Sequence, residues 1–329
     1  MLGPCHRSAE IAMEQQQYPV NLEAPDISPY RQGNTGVDYI TTLDSGNSGP
    51  HVMLSAVVHG NELCGAIALD YLMGHDVRPV AGKLTLAFMN VAAFDTFDPA
   101  NPTNSRYVDE DFNRLWIREV LDGARDSVEL RRARAVRPIV DDVDYLLDIH
   151  SMQHTTVPLM MCGPLDKGRQ LARDLASPEH VVSDAGHSAG RRMRDYEAFS
   201  DASSPRNALL VECGQHWEPP SADMAKEICL RFLARYEVVA PAFVAQHLSA
   251  VPPPAQRLIE VTGPITIETD NFRFTEQFRG MEVIEKEGTL IGWDGEAELR
   301  TPYDNCVLIM PSRRLRRGES AVRFGRYTT

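Results

Sequence analysis

The run Val52-Met-Leu-Ser-Ala-Val-Val-His59-Gly-Asn-Glu62 ends an apolar stretch in a histidine and a carboxylate three residues apart. On a sharp turn those two groups can reach one cation together, and a tight zinc site then needs a third ligand from elsewhere. His150, at the end of Val143-Asp-Tyr-Leu-Leu-Asp148-Ile-His150, is the candidate. Two histidines and one glutamate leave a coordination position open for water, which is the pattern of catalytic rather than structural zinc. If the His150 run is a strand, Asp148 lies on the same face two residues earlier, where it can orient the ring or support the loop around it. A fourth landmark is Asn207-Ala-Leu-Leu-Val-Glu212, an apolar run that delivers a carboxylate to its carboxyl end. A glutamate placed there can take a proton from an attacking water and pass it to a leaving nitrogen.

The segment from Asp95 to Arg114 is long, polar and interrupted by prolines, and holds Arg106, Asp111, Asn113 and Arg114. A loop of this length inside a compact domain is usually functional or disordered. Arginine grips a carboxylate through two parallel hydrogen bonds, so Arg114, helped by Asn113, is the candidate to hold a substrate carboxylate. Arg106 is the candidate to polarise a scissile carbonyl. Asp–Arg pairing that merely holds the loop together explains the same composition equally well. The polar stretch His180–Asp201, with His187, Arg191, Arg192 and Arg194, lacks periodicity and reads as a surface loop over the site. His216 reads as a solvent-facing loop histidine, with lining of the pocket as the alternative. The arginines of Ser127–Val140 read as the solvated face of a helix.

The elements that must carry these groups follow from hydrophobic periodicity. Val52–Val58 has the length and β-branching of a buried strand, and Glu62–Met73 has apolar residues at helical spacing. Gly60 is expected to let the backbone turn sharply between them. Lys83–Asn90 is a further strand, so the rhythm is strand–helix–strand, the mark of an α/β sheet with crossover helices. Asp223–His247 reads as one or two helices with Ile228, Phe232, Leu233 and Tyr236 toward the core. A Val-Pro-Pro-Pro-Ala segment at 251–255 is a semi-rigid spacer. Beyond it come short strands and glycines. The expected fold is therefore α/β, a mixed sheet flanked by helices over 22–250, with a small C-terminal all-β domain over 256–329. The basic run Arg313-Arg-Leu-Arg-Arg317 reads as a solvated turn or an interface.

Composition excludes some partners. The formal charge is 33 − 46 = −13 over 329 residues, which argues against general binding to nucleic acid or an anionic membrane. A local arginine cluster can still reverse the sign inside a cleft. Six scattered cysteines with no C-x-x-C pair point to reduced thiols and a cytoplasmic location, with Cys162 and Cys213 as small core residues. The N-terminus, with its Glu-Gln-Gln-Gln, has no apolar signal-peptide core, and no apolar run approaches the length of a membrane span. The first twenty-odd residues read as a polar tail or a partner-covering arm.

Taken together, His59-Gly-Asn-Glu62, Ser105-Arg106-Tyr-Val-Asp-Glu-Asp111-Phe-Asn113-Arg114, Asp148-Ile-His150 and Val211-Glu212-Cys-Gly resemble the succinylglutamate desuccinylase/aspartoacylase family, zinc amidohydrolases related to zinc carboxypeptidases. Order and spacing match over most of the first ~250 residues, a span consistent with one domain. The resemblance implies Zn2+ held by His59, Glu62 and His150, with Glu212 as general base and acid and Arg106 polarising the scissile carbonyl. Asn113 and Arg114 would bind the α-carboxylate of an N-acyl amino acid. Some members hold a side-chain carboxylate with a basic residue shortly before the catalytic glutamate, and Arg206 is the nearby candidate here. The C-terminal β region resembles that of the same family, where such a domain can narrow the cleft mouth, and Tyr303 is a possible pocket residue. The expected activity is zinc-dependent hydrolysis of the amide of an N-acyl amino acid or a related small N-acyl compound. The alternatives are a zinc carboxypeptidase acting on short peptides and a non-enzymatic ligand-binding module. The expected partner is a small N-acyl amino acid, with neither nucleic acid nor membrane, and with a homo-oligomer left open.

Overall fold

The computed structural model describes residues 18–186 and 190–328. Residues 1–17 of the N-terminal arm, among them Cys5, and His187 lie outside the described residues. The strands are β1 (Ile40–Asp44), β2 (His51–Ala56), β3 (Lys83–Phe88), β4 (Tyr145–Met152), β5 (Leu159–Met161), β6 (His180–Ser183) and β7 (Asn207–Gln215). After them come β8 (Arg257–Thr266), β9 (Phe272–Phe274), β10 (Val283–Ile284), β11 (Leu290–Asp294), β12 (Ala297–Arg300), β13 (Cys306–Ile309) and β14 (Ser320–Thr328). The helices are α1 (Leu63–Gly74), α2 (Val91–Phe94), α3 (Arg118–Leu121), α4 (Val128–Val140), α5 (Asp166–Leu175), α6 (Pro219–Arg235) and α7 (Pro241–His247).

Eleven strands form one mixed sheet in the order β1-β3-β2-β4-β7-β5-β6-β8-β14-β13-β10, and β12-β11-β9 form a small second one. The centre is parallel: β3, β2, β4 and β7 run side by side. Every residue of β2 and β7 is buried, because the sheet centre is covered on both faces. On one face Leu54, Leu147, Ile149 and Val211 pack with Leu69 of α1 and Phe232 of α6. On the other, Met53, Leu146 and Ala208 pack with Val136 of α4 and with Trp116. Alternation therefore sends Asp148, His150 and Glu212 to the α4 face.

The C-terminal strands continue this sheet. β8 pairs parallel with β6, and β14 pairs antiparallel with β8. Among the described residues no helix is long and apolar enough to cross a membrane. Cys64, Cys162, Cys213, Cys229 and Cys306 are all buried free thiols.

Three sequence-based expectations change. The stretch 180–201 is not a surface loop: it holds β6 and two 3-10 turns, and Arg192, Arg194 and Asp195 are buried. Of the α4 arginines Arg131 is exposed as expected, but Arg132 and Arg134 are tied to backbone. Arg132 donates to the carbonyls of Phe88 and Met89, and Arg134 to those of Leu121 and Gly123. The run 313–317 is not wholly solvated either. Arg314 reaches the Thr103 carbonyl at 3.3 Å, and Arg313 lies over the Tyr18 ring.

Candidate active site

The chain leaves β2 through Val57, which takes a left-handed backbone angle (φ 52°). That conformation is costly for a β-branched residue and persists only where the surroundings impose it. It swings His59 over the carboxyl end of the sheet. Gly60 lies in the expected turn, closed by the Glu62 N–H donating to the His59 carbonyl at 3.2 Å, and it also allows close approach: a Cβ there would overlap the backbone of Ala93, Phe94 and Ser105. The Gly60 N–H also donates to the Arg106 carbonyl at 3.2 Å, so the two polar loops touch through bare backbone. Glu62 occupies the cap position of α1 but makes no side-chain cap hydrogen bond.

Its carboxylate is shared by two imidazoles instead. Glu62 Oε1 lies 2.7 Å from His59 Nδ1, and Oε2 lies 2.9 Å from His150 Nδ1. The far nitrogen of each ring meets an aspartate: His59 Nε2 is 3.0 Å from Asp111, and His150 Nε2 is 3.0 Å from Asp148. Ser55 donates to the second oxygen of Asp148. All three ligand candidates are buried, with donor atoms within 4.8 Å of one another, and they form the one metal-capable cluster among the described residues. Two imidazoles turned by outer carboxylates so that their Nδ1 atoms converge beside a third donor fit a divalent cation such as zinc. Burial alone would raise the Glu62 carboxyl, but His59 and His150 outweigh it and hold it well below the usual range. Burial would likewise lower His150, but Asp148 and Glu62 hold it well above the usual imidazole value.

Glu212 sits in register with His150 on the neighbouring strand. It is buried, and its Oε2 has no hydrogen-bond partner. Burial pushes its carboxyl up to about 8, against the pull of His150. A carboxyl poised near neutrality in a cleft can both accept and return a proton.

The arginine loop is built around Asp111. Arg106 meets it at 3.0 Å and approaches Glu62 at 3.6 Å, while Arg114 stands 4.0 Å from Asp111. Asp–Arg pairing and proximity to the metal-capable cluster thus coexist. Arg114 keeps a partly exposed head. Asn113 turns inward: its amide nitrogen is 3.3 Å from His150 Nε2, and its oxygen accepts from the Met193 N–H. The segment around Gly190 lies so close to Arg114 that a Cβ there would overlap the Arg114 carbonyl.

Arg206 is not brought to this site. It stands at the amino end of β7, six residues from Glu212, or about 20 Å at ~3.3 Å per residue, and donates to the Asp141 carbonyl. Sequence reasoning set Arg192 in a surface loop over the site and did not single out Arg323. Arg192 is buried, bonded to Asp195 at 2.8 Å and close to Asp184 at 3.5 Å, and its charge acts on Glu212 and Arg114. Arg323 of β14 meets the same Asp184 at 3.3 Å. No periodic pattern marks either arginine. His216 is buried, not solvent-facing: its Nδ1 lies 2.8 Å from Ser151 Oγ, and burial lowers its pKa to about 3. Tyr303 lies under Arg326 and is bonded to Thr262.

The comparisons place this fold and site among deacylase-type hydrolases. The model of the succinylglutamate desuccinylase/aspartoacylase catalytic domain matches residues 48–235, more than half of the chain, and the chain belongs to that family. Solved structures agree in fold. Succinylglutamate desuccinylase from Vibrio cholerae is 15% identical with a TM-score of 0.66, the match covering 88% of this chain and 86% of that one. The succinylglutamate desuccinylase/aspartoacylase from Rhodobacter sphaeroides is 18% identical with a TM-score of 0.62, covering 88% and 89%. The ectoine utilization protein EutE (DoeB) from Ruegeria pomeroyi, solved with product bound, is 15% identical with a TM-score of 0.56, covering 89% and 92%. No curated protein sequence matches the chain.

Proposed function

We propose that the protein hydrolyses the amide bond of an N-acyl amino acid or a related small N-acyl compound in a zinc-dependent reaction. The observation that carries this reading is the juxtaposition of one carboxylate shared by two imidazoles with a second, unpartnered carboxylate in register on the next strand. His59, Glu62 and His150 would hold the zinc, which when bound supplies a Lewis acid and lowers the pKa of water to ~7. Glu212 accepts the proton of the attacking water and returns it to the leaving nitrogen. Arg106 faces the oxygen on which negative charge develops. Arg114, with Asn113, receives the α-carboxylate, and the Arg192–Arg323 group adds positive charge to the cleft around it.

We favour a small substrate over a peptide on the reading that the C-terminal β region narrows the mouth, which two of its contacts with the catalytic region support. Thr156 donates to the Gly280 carbonyl at 3.0 Å, and Arg314 reaches Thr103. We therefore assign catalysis to 22–250 and restriction of the mouth to 256–329. The buried free thiols support a reducing, cytoplasmic setting. A hydrolysis screen over acyl amino acids of differing acyl chain and side-chain charge, alongside short peptides, tests the reading. Zinc-dependent release of a free amino acid from the acyl compounds is expected. Turnover of peptides alone selects the carboxypeptidase reading, and no turnover by zinc-loaded protein leaves a binding module.

A further inference from the structure

Behind the arginine loop lies a carboxylate that the proposed chemistry does not use. Glu129, in the first turn of α4, is completely buried. Its Oε1 accepts from the Val108 N–H at 2.6 Å and from the Asn90 amide at 3.1 Å. Its Oε2 accepts from the Asp109 and Glu110 N–H groups at 3.0 and 3.2 Å. Three successive backbone donors thus close on one carboxylate, immediately between Arg106 and Asp111. The contact is reinforced in the opposite direction. Asp109 accepts from the Val128 N–H at 2.7 Å, and Ser127 donates to Glu110 at 2.6 Å. Asn90 in turn is tied to the metal-side loop, since its N–H donates to the Val57 carbonyl.

A carboxylate accepting several backbone N–H groups makes strong, charge-assisted bonds, and its removal takes away the shared partner of those donors. The three fixed amides set the path of the chain on both sides. On one side hangs Arg106; on the other hangs Asp111, whose carboxylate touches His59 Nε2 and Arg106. We propose that Glu129 is a positioning residue: it fixes the 108–110 backbone so that Asp111 holds the His59 ring with Nδ1 toward Glu62. This rests on the zinc reading above, and it makes α4 part of the active-site machinery rather than a covering helix.

Zinc affinity, measured by competition with a chromogenic chelator, tests this without a substrate. Loss of an outer partner of a metal-ligating histidine weakens binding about 10- to 100-fold. Glu129→Gln is expected to weaken zinc binding about tenfold by that mechanism. The same substitution made in an Asp111→Asn background should add less than about twofold, because both changes act through one contact. Val136→Ala, which thins the core face of α4 and leaves the Glu129 hydrogen bonds in place, controls for loss of stability alone. Equal zinc affinity in Glu129→Gln and wild type overturns the proposal. So does an effect matched by Val136→Ala at the same melting temperature, or full additivity with Asp111→Asn. If Glu129→Gln does not fold, Glu129→Asp, which keeps the charge but is one methylene short, takes its place in each comparison. A wild-type protein that binds no zinc overturns the functional reading itself, and is a separate result.

Discussion

The two ends of the central strands carry similar residues with different outcomes. At the amino ends, His51, Asp44, Asp142, Asp144 and Arg206 line a cavity of about 540 Å³. His51 uses both ring nitrogens there, Nδ1 at 3.1 Å from Asp142 and Nε2 at 2.7 Å from Thr85. The acids are taken up by local backbone: Asp44 accepts from the Gly46 N–H and Asp144 from the His51 N–H. At the carboxyl ends, two rings converge on one carboxylate, and a second carboxylate keeps an oxygen without a partner. An inventory of histidines and acids does not distinguish these ends. Convergence of donors on one point, and a buried group left incomplete, do.

The largest expected effect separates the ends by chemistry. Glu212→Gln should retain zinc and the melting temperature while kcat falls about 10²- to 10⁴-fold, the usual span for a lost general acid–base. Metal analysis beside steady-state kinetics checks it, and unchanged turnover would remove Glu212 from the mechanism. Arg114→Ala should raise KM about 10- to 100-fold for carboxylate-bearing substrates, as expected for a lost charge-assisted bond of about 1.5–3 kcal/mol, with little effect on substrates lacking that group. Equal weakening of both classes would reassign Arg114.

Two smaller effects sharpen the contrast. His154, buried four residues beyond His150, is held down to about 4 by burial and by the positive charges of Arg313 and Arg279. The unfolded chain takes that proton near ~6.5, so this contribution to stability is fully present above that pH. It is lost as pH falls toward 4, and we expect it to be about 2 kcal/mol. Denaturant melts across that window should show a slope that His154→Gln flattens; an unaltered slope would deny burial and those charges their role. At the opposite end, His51→Gln should cost about 1 kcal/mol through its lost hydrogen bonds and leave kcat/KM unchanged. A kinetic defect there would blur the distinction between the two ends.

Much of this was legible because strand ends are legible. Apolar runs stop where chains leave the sheet, so His59, His150 and Glu212 could be placed at the same edge before any coordinates. Asp148 followed from alternation alone. What escaped depended on pairings distant in sequence. Arg206 stands near Glu212 in the chain, but an extended strand carries it to the far side of the molecule. Arg192 and Arg323 meet at Asp184 only because β14 and β8 extend the sheet beyond β6. Glu129 was not singled out, since nothing in its own segment shows the three amides that surround it.

The ladder between β6 and β8 bears on how this protein can be cut. Three prolines at 252–254 invite a truncation that would isolate the first 250 residues. Such a fragment would leave the backbone of β6 unpaired along the side that β8 occupies, and would bare Val182, which packs against Ile259 and Val307. An open, flat, apolar strand edge recruits other chains. The shortened product should therefore be sticky and insoluble, whatever the state of its catalytic groups.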